Sequence, residues 1–273
     1  MSMPLITIVT VCYNVEDTIV ETMKTILEQD YPAIEYIVID GGSSDRTLEK
    51  IRQYASLFLQ HNISFRYISE PDHGIYDAMN KGIRMAEGEW INFMNSGDGF
   101  YRKDVLSTVF SQPIGKEEKV VYGNTVLRLA FGEVEMLPKP IDYMRKKMAF
   151  CHQSVFVRTE LMKGSLFNLS YRFAADYDFF YHYYKRGGAF KYINRAISYF
   201  ESEEGTSSRN RLKVNKEYAC IQGIDKTVKW KIKFAFKVFR VKLKEGLQSV
   251  FPKKYVNRIR ERNYRRIVKH RQS

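Results

Sequence analysis

Tyr36-Ile37-Val38-Ile39-Asp40-Gly41-Gly42-Ser43-Ser44-Asp45 is an apolar run that ends on an acid and passes into a turn. Ile37-Val38-Ile39 reads as a buried strand. The glycines and serines after Asp40 let the chain reverse, and a helical pattern follows. In open α/β sheets, ligands bind beyond the carboxyl ends of the strands, so an acid at that point is a candidate ligand contact. The same residues also describe a simple strand-to-helix turn with Ser44 or Asp45 as the helix cap. Both readings stand until the neighbouring strands are read.

Working outward, strand and helix signals alternate. Leu5 to Cys12 is apolar and β-branched, Glu16 to Gln29 is helical up to Pro32, and Asp45 to Leu59 is helical after the strand Glu35–Asp40. Phe65–Ser69 reads as strand, Ile75–Ala86 as helix and Trp90–Met94 as strand. This order predicts a doubly wound, mostly parallel sheet with helices on both faces. Beyond Asp98 the pattern loosens. A short helix is expected over Arg102–Phe110, with strands at Val120–Tyr122, Val126–Phe131, Gln153–Arg158, Phe190–Ile193 and Ile197–Phe200. A helix is expected over Ala174–Lys185 and a mobile loop over Glu201–Arg211.

The chain of 273 residues is 44% hydrophobic and 27% charged, a globular composition. Its three cysteines, Cys12, Cys151 and Cys220, lie far apart without metal-ligand spacing, so free thiols and a reducing compartment are expected. No leader pattern is evident, and no apolar run approaches the roughly 20 residues that span a bilayer. The net charge of +13 is not spread evenly. Residues 226–273 carry 17 Lys and Arg against 2 Asp and Glu, and the rest of the chain is slightly acidic.

Asn14, Asp40, Asp72 and Asp98 fall at or just after strand ends, which forms a polar rim suited to a ligand rather than a set of caps. Four stretches carry a specific resemblance: Val11-Cys12-Tyr13-Asn14; Val38 to Thr47; Ser69-Glu70-Pro71-Asp72-His73-Gly74-Ile75-Tyr76-Asp77-Ala78-Met79-Asn80-Lys81-Gly82; and Phe93-Met94-Asn95-Ser96-Gly97-Asp98. Their order and spacing resemble the motifs of family 2 glycosyltransferases, in particular members that build bacterial exopolysaccharide, colanic acid or O-antigen units. The resemblance covers about residues 5–205. It implies an α/β chain of GT-A fold, with a Rossmann-like doubly wound sheet, a small second sheet and a basic helical extension. Residues 1–225 would be the transferase domain, with the nucleotide-sugar half at 1–100 and the acceptor half at 101–225.

By motif position, the resemblance implies a donor site at Val11, Tyr13, Asn14, Asp40, Asp72, Asn80, Lys81, Gly97 and Asp98. Tyr13 would stack on the base, and Asp40 would bond the base or ribose. Tyr76 and Met79 share helical spacing with Ile83 and are read as core. Asn95-Ser96-Gly97-Asp98 stands where the family carries an acidic metal motif. Only Asp98 keeps its carboxylate, so Asp98 is the candidate ligand for Mg²⁺ or Mn²⁺, with the donor diphosphate completing the shell. Arg209 is an alternative partner for that diphosphate. Ala174-Ala175-Asp176-Tyr177-Asp178 resembles the family's acidic motif at a helix start, which makes Asp176 the candidate general base. An Asp there is favoured as the anion by the helix dipole. The alternative is simple capping by Asp176 or Asp178. His152 and Gln153 match a pair near the acceptor cleft of similar transferases; a buried, hydrogen-bonded His is the other reading.

The implied activity is inverting transfer from a nucleotide-diphospho-sugar, a UDP-sugar favoured, to a saccharide or polyprenyl-diphosphate-linked hydroxyl. A non-catalytic nucleotide-sugar- or lipid-binding protein and a nucleotidyltransferase are the rivals. The latter wants a glycine-rich basic loop after the first strand, which Tyr13-Asn14-Val15-Glu16 does not supply. In the basic extension, Lys226, Lys229, Lys233, Lys237, Arg240 and Lys244 gather in one wedge of a helix beside Val228, Ile232, Phe236, Phe239 and Leu243. Trp230, Phe234, Val238 and Val241 extend the apolar face. A basic amphipathic helix of this kind predicts docking on an anionic membrane at its cytoplasmic face. Core cover by the helix and nucleic-acid binding are the alternatives, and the core carries no recognised nucleic-acid module. Lys253 to Arg271 reads as a second basic helix.

Overall fold

A computed structural model describes residues 3–129, 132–201 and 210–250. Four parallel strands begin it: β1 (Ile6–Cys12), β2 (Ile34–Asp40), β3 (Ser64–Ser69) and β4 (Trp90–Phe93), in the order β3-β2-β1-β4. Every residue of β1 and β2 is buried. Alternate side chains point to opposite faces of a strand. Val9, Val11, Ile37 and Ile39 therefore enter the core on one face, and Ile6, Ile8, Ile34, Tyr36 and Val38 the core on the other. Helices α1 (Ile19–Leu27) and α2 (Thr47–Gln60) cover the second face, and α3 (Ile75–Met85) the first. Gly82 sets how closely α3 lies on the sheet, since a Cβ there would stand 2.5 Å from Val9 Cγ1. That closeness fixes the height of Tyr76 over the strand ends.

The sheet continues through the second half. After β5 (Gly99–Phe100) and α4 (Val105–Phe110) come the long β6 (Glu118–Leu129), β7 (Gly132–Met136) and β8 (Val155–Arg158). Strand β8 runs antiparallel to both β4 and β6 and stands between them. Helices α5 (Thr159–Gly164) and α6 (Ala175–Lys185), strand β9 (Ala189–Glu201), and helices α7 (Arg211–Ile221) and α8 (Val228–Val250) complete the described chain. The strands make one nine-stranded sheet, so the small second sheet expected from sequence is continuous with the first through β8.

The two short strands expected at Phe190–Ile193 and Ile197–Phe200 are one bent strand, β9. Its register on β6 shifts at Tyr122/Asn124 and Asn124/Thr125, which lets it carry the polar Asn194-Arg195 step without ending. Strand β6 likewise merges two expected strands, and its hairpin partner β7 had no clear sequence signal. Most of the expected loop at Glu201–Arg211, with Arg209 in it, lies outside the described residues, as does the second basic helix at Lys253 to Arg271.

Candidate active site

The carboxyl ends of β1 to β4 and the start of α6 converge on one cleft, and the described members of the expected site gather around it. Tyr13 follows β1 and is 61% exposed. A Cβ on Gly41 would lie 2.5 Å from Asp72 Oδ2 and 3.4 Å from Tyr13 Cδ2, so glycine alone lets this ring and this carboxylate flank the backbone. Tyr13, Gly41 and Asp72 form an open shelf. Asp72 is aimed by Gly74, whose amide donates to Oδ1 at 2.8 Å. Asn14 adopts φ 50° and joins the neighbouring turn: Ser44 N donates to its Oδ1 at 2.9 Å, and its own N donates to Ser43 Oγ at 2.8 Å. Val11 is buried beneath the shelf.

Asp40 lies at the end of β2, under the turn that follows it. It is wholly buried, and its oxygens accept bonds from Ser43 N at 3.1 Å, Ser43 Oγ, Ser69 Oγ at 2.6 Å and the Cys12 thiol at 3.7 Å. It braces the Gly41–Ser43 turn. Asn80 is 2% exposed and spends its amide on Phe167, donating to Phe167 O and accepting from Phe167 N, both at 2.9 Å. It stitches α3 to the segment before α6. Lys81 pairs with Glu70 at 2.8 Å and donates to Pro71 O at 3.0 Å, which holds the loop that carries Asp72.

These placements separate two variants. Asp40→Ala leaves several buried donors unpaired, a cost of roughly 1–3 kcal/mol per group, so the melting temperature is expected to drop sharply. Asp72→Ala is expected to weaken donor binding at an unchanged melting temperature. Differential scanning fluorimetry and calorimetric titration of a nucleotide-sugar read both, and a stable Asp40→Ala protein with lost donor affinity would return Asp40 to the nucleoside.

The Asn95–Asp98 turn lies against α1. Thr22 Oγ1 donates to Asp98 O at 2.7 Å and accepts from Gly97 N at 3.0 Å, and Gly97 takes φ +91° to complete the turn. Asp98 Oδ2 accepts from Gln153 Nε2 at 2.8 Å. Gln153 is itself oriented by the Cys151 thiol, which donates to its Oε1 at 3.2 Å. Close packing pushes the Asp98 carboxyl up to about 7, partly offset by the Gln153 bond. Burial raises the thiols of Cys12 and Cys151, so neither is a nucleophile.

Asp176 occupies the first turn of α6 and is 20% exposed. Tyr76 Oη donates to its Oδ1 at 2.8 Å, and His152 Nδ1 stands 3.9 Å from its Oδ2. His152 Nε2 meets Asn95 Nδ2 at 3.1 Å, and burial lowers the imidazole's affinity for a proton. The pair His152-Gln153 thus lies between the two acids, with His152 toward Asp176 and Gln153 on Asp98. A cavity of about 70 Å³ adjoins Asp176, walled by Phe93, Phe167, Phe180, Met79 and Val155.

Helix α7 holds this end of the cleft. Glu217 accepts from Arg172 N at 3.0 Å and Phe173 N at 2.8 Å, and so fixes the segment that leads into Asp176. Gln222 donates to Tyr177 Oη at 2.7 Å. Sequence reasoning missed both contacts, because α7 shows little amphipathic pattern.

The model of glycosyl transferase family 2 matches residues 7–172, the span that holds the shelf, Asp98 and the His152-Gln153 pair. The chain belongs to this family. A PGL/p-HBAD biosynthesis glycosyltransferase of Mycobacterium bovis is 33% identical over 186 residues, covering 66% of this chain and 69% of the relative. A putative teichuronic acid biosynthesis glycosyltransferase of Bacillus subtilis is 33% identical over 103 residues, or 38% and 39% of the two chains. Among solved structures, TarS 1–349 of S. aureus in complex with UDP-GlcNAc superposes with a TM-score of 0.61 at 19% identity, covering 80% of this chain and 66% of that one. The mannosyltransferase PcManGT of Pyrobaculum calidifontis, in complex with GDP-Man and Mn²⁺, gives 0.60 at 18% identity, with coverages of 81% and 63%. The family 2 chain thus shares the GT-A fold of these neighbours.

Proposed function

We propose that this family 2 glycosyltransferase inverts the anomeric centre as it moves a sugar from a nucleotide-diphospho-sugar, a UDP-sugar favoured, to a hydroxyl of a saccharide acceptor. One observation carries the reading: Asp98 and Asp176 approach the same two-residue element, Asp98 at Gln153 and Asp176 at His152. The nucleoside would lie on Tyr13 and Asp72, its diphosphate beside Asp98, and the acceptor beside Asp176. Asp176 would take the acceptor's proton as the oxygen attacks the anomeric carbon from the face opposite the diphosphate.

A divalent cation fits this cleft only in part. Among the described residues, no group of three or more His, Cys, Asp or Glu could hold one. Asp98 offers one carboxylate, with Oδ2 already bonded to Gln153, while the Asn95 amide oxygen is buried without a partner. Asp98 and Asn95 Oδ1 would therefore hold Mg²⁺ or Mn²⁺ with most of its oxygens drawn from the diphosphate. Bound there, the ion would neutralise charge on the leaving diphosphate. The neighbour bound to GDP-Man and Mn²⁺ supports the reading. Arg209 remains the proposed second partner of that diphosphate. Assaying transfer from a panel of UDP-, GDP- and dTDP-sugars, with and without EDTA, tests the whole reading; tight donor binding with no turnover of any donor would favour a binding protein.

We also infer that α8 docks the enzyme on an anionic membrane, which suits a lipid-linked acceptor in surface polysaccharide synthesis. No helix among the described residues is long and apolar enough to cross a bilayer. Helix α8 instead has two apolar faces. Trp230, Phe234, Val238 and Val241 are half-buried on the inner side. Val228, Ile232, Phe236, Phe239 and Leu243 are 53–72% exposed in a single stripe on the outer side. At 100° per residue, Lys229, Lys233 and Arg240 flank that stripe on one edge and Lys231 and Lys242 on the other. Basic residues at an anionic surface contribute roughly 1 kcal/mol each. Ile232, Phe236 and Phe239 changed together to Ser are expected to abolish co-flotation with phosphatidylserine liposomes at low salt and to leave the fold intact. Flotation equal to that of the unaltered chain would end the membrane role.

A further inference from the structure

Tyr76 belongs to α3, on the donor side of the cleft, yet its hydroxyl reaches Asp176 one hundred residues later. Its ring is buried and packs on Phe167 with centroids 5.4 Å apart. Burial, together with the neighbouring Asp176 charge, raises the phenol well above its ordinary range, so the hydroxyl keeps its proton and donates. The oxygens of Asp176 are consequently unequal. Oδ1 accepts the Tyr76 hydroxyl at 2.8 Å, while the nearest ring nitrogen lies 3.9 Å from Oδ2, a gap no hydrogen bond spans.

We propose that Tyr76 is a positioning residue whose hydroxyl holds Asp176 Oδ1, so that Oδ2 is the oxygen that takes the acceptor's proton. This rests on Asp176 as the general base. In the step, the acceptor O–H bond breaks and its proton passes to Oδ2. The acceptor oxygen forms its bond to the anomeric carbon, and the bond to the diphosphate breaks with its electron pair leaving on the diphosphate. A carboxylate free to rotate would present either oxygen over a range of directions; one anchored oxygen leaves a single direction for the other.

The same contact links the two substrates. Asp72 of the nucleoside shelf bonds Gly74, the residue that caps α3, and Tyr76 lies in the first turn of that helix. The nucleoside shelf and the base are thus joined through Gly74 and Tyr76 at the start of one helix. The other titratable groups around Asp176 are His152 and Cys151 before β8, Tyr218 on α7 and Arg172 at the cavity. None of them makes a hydrogen bond to its carboxylate among the described residues.

Tyr76→Phe keeps the ring and removes only the hydroxyl. The expected result is a kcat reduced on the order of tenfold with the donor KM within twofold of the native value. In the Asp176→Asn background, Tyr76→Phe is expected to slow transfer no further, the mark of a residue that acts through Asp176. Incorporation of 3-fluorotyrosine at position 76, nearly the same in shape and still a donor, serves if the Phe variant fails to fold; it should keep kcat within about twofold of the native value. A Tyr76→Phe enzyme with native kcat, a fluorotyrosine enzyme slowed on the order of tenfold, or an added loss in the double variant would overturn the proposal. Failure of the base assignment is a separate result, since Asp176→Asn would then remain active.

Discussion

Asp176→Asn should give a folded protein that binds donor normally and transfers sugar roughly 10²–10⁴-fold more slowly, the usual contribution of a positioned general base. The substitution is nearly isosteric. The amide oxygen can still accept the Tyr76 hydroxyl, so the start of α6 keeps its tie to α3. What is lost is the capacity to accept a proton. Donor is expected to bind unaffected, because neither Tyr13 nor Asp72 makes a hydrogen bond to Asp176 and the amide keeps the Tyr76 tie. Donor titration by calorimetry and single-turnover transfer separate the two properties. A rate close to native would remove Asp176 from the mechanism and leave it as a helix cap.

Asp98→Asn carries the second large effect, and it has two signatures. Transfer should fall on the order of 10²-fold and lose its response to added Mg²⁺ or Mn²⁺, since the cation would lose its one charged protein ligand and keep only neutral amide oxygens. Stability should change in the opposite sense. The native carboxyl titrates near 7, whereas an unfolded Asp titrates near 4. The folded state therefore holds the proton more tightly, and the carboxyl's contribution is greatest below the unfolded value. That contribution is lost as pH rises between the two values and is flat above the upper one. Without donor or cation, the native protein should lose on the order of 2 kcal/mol across this window relative to the Asn variant, a figure reduced from the full linkage because the group is partly exposed. Urea unfolding of both proteins at pH 5 and pH 8 measures the difference. Parallel pH dependences would show that Asp98 meets water freely, and unchanged transfer would take it out of the donor site.

The donor half was legible because its signals are local. The apolar runs of β1, β2 and β4 end on polar residues, and a βα order leaves few topologies open. Asp98 and Asp176 were singled out by motif, and the structure brings them to the adjacent residues Gln153 and His152. What escaped the sequence depends on chain segments that meet only in three dimensions. His152-Gln153 can lie between the two acids because β8 runs antiparallel between β4 and β6, and nothing in Cys151-His152-Gln153 encodes that insertion. Asp40 and Asn80 carry structural bonds that their motifs do not announce. Each sits in a motif that reads as ligand-binding, but a polar residue in a buried register must pair with something, and here the partners are Ser69 and the Phe167 backbone. Tyr76 was read as core from its spacing. Its ring obeys that reading, and only its hydroxyl departs from it.

The two-faced α8 carries one more consequence. Its inner side chains are half-buried, and burial beside Lys147, Arg211 and Lys233 lowers the proton affinity of Lys237, so the helix lies along the protein rather than away from it. A tether hung from a flexible linker would let a catalytic cleft tumble above a surface and sample acceptors at any height. A helix keyed on one side behaves as a bracket. With its outer stripe seated in lipid, the cleft would stand at one height and one tilt, and the enzyme would gauge how far from the bilayer a sugar is presented before it extends it.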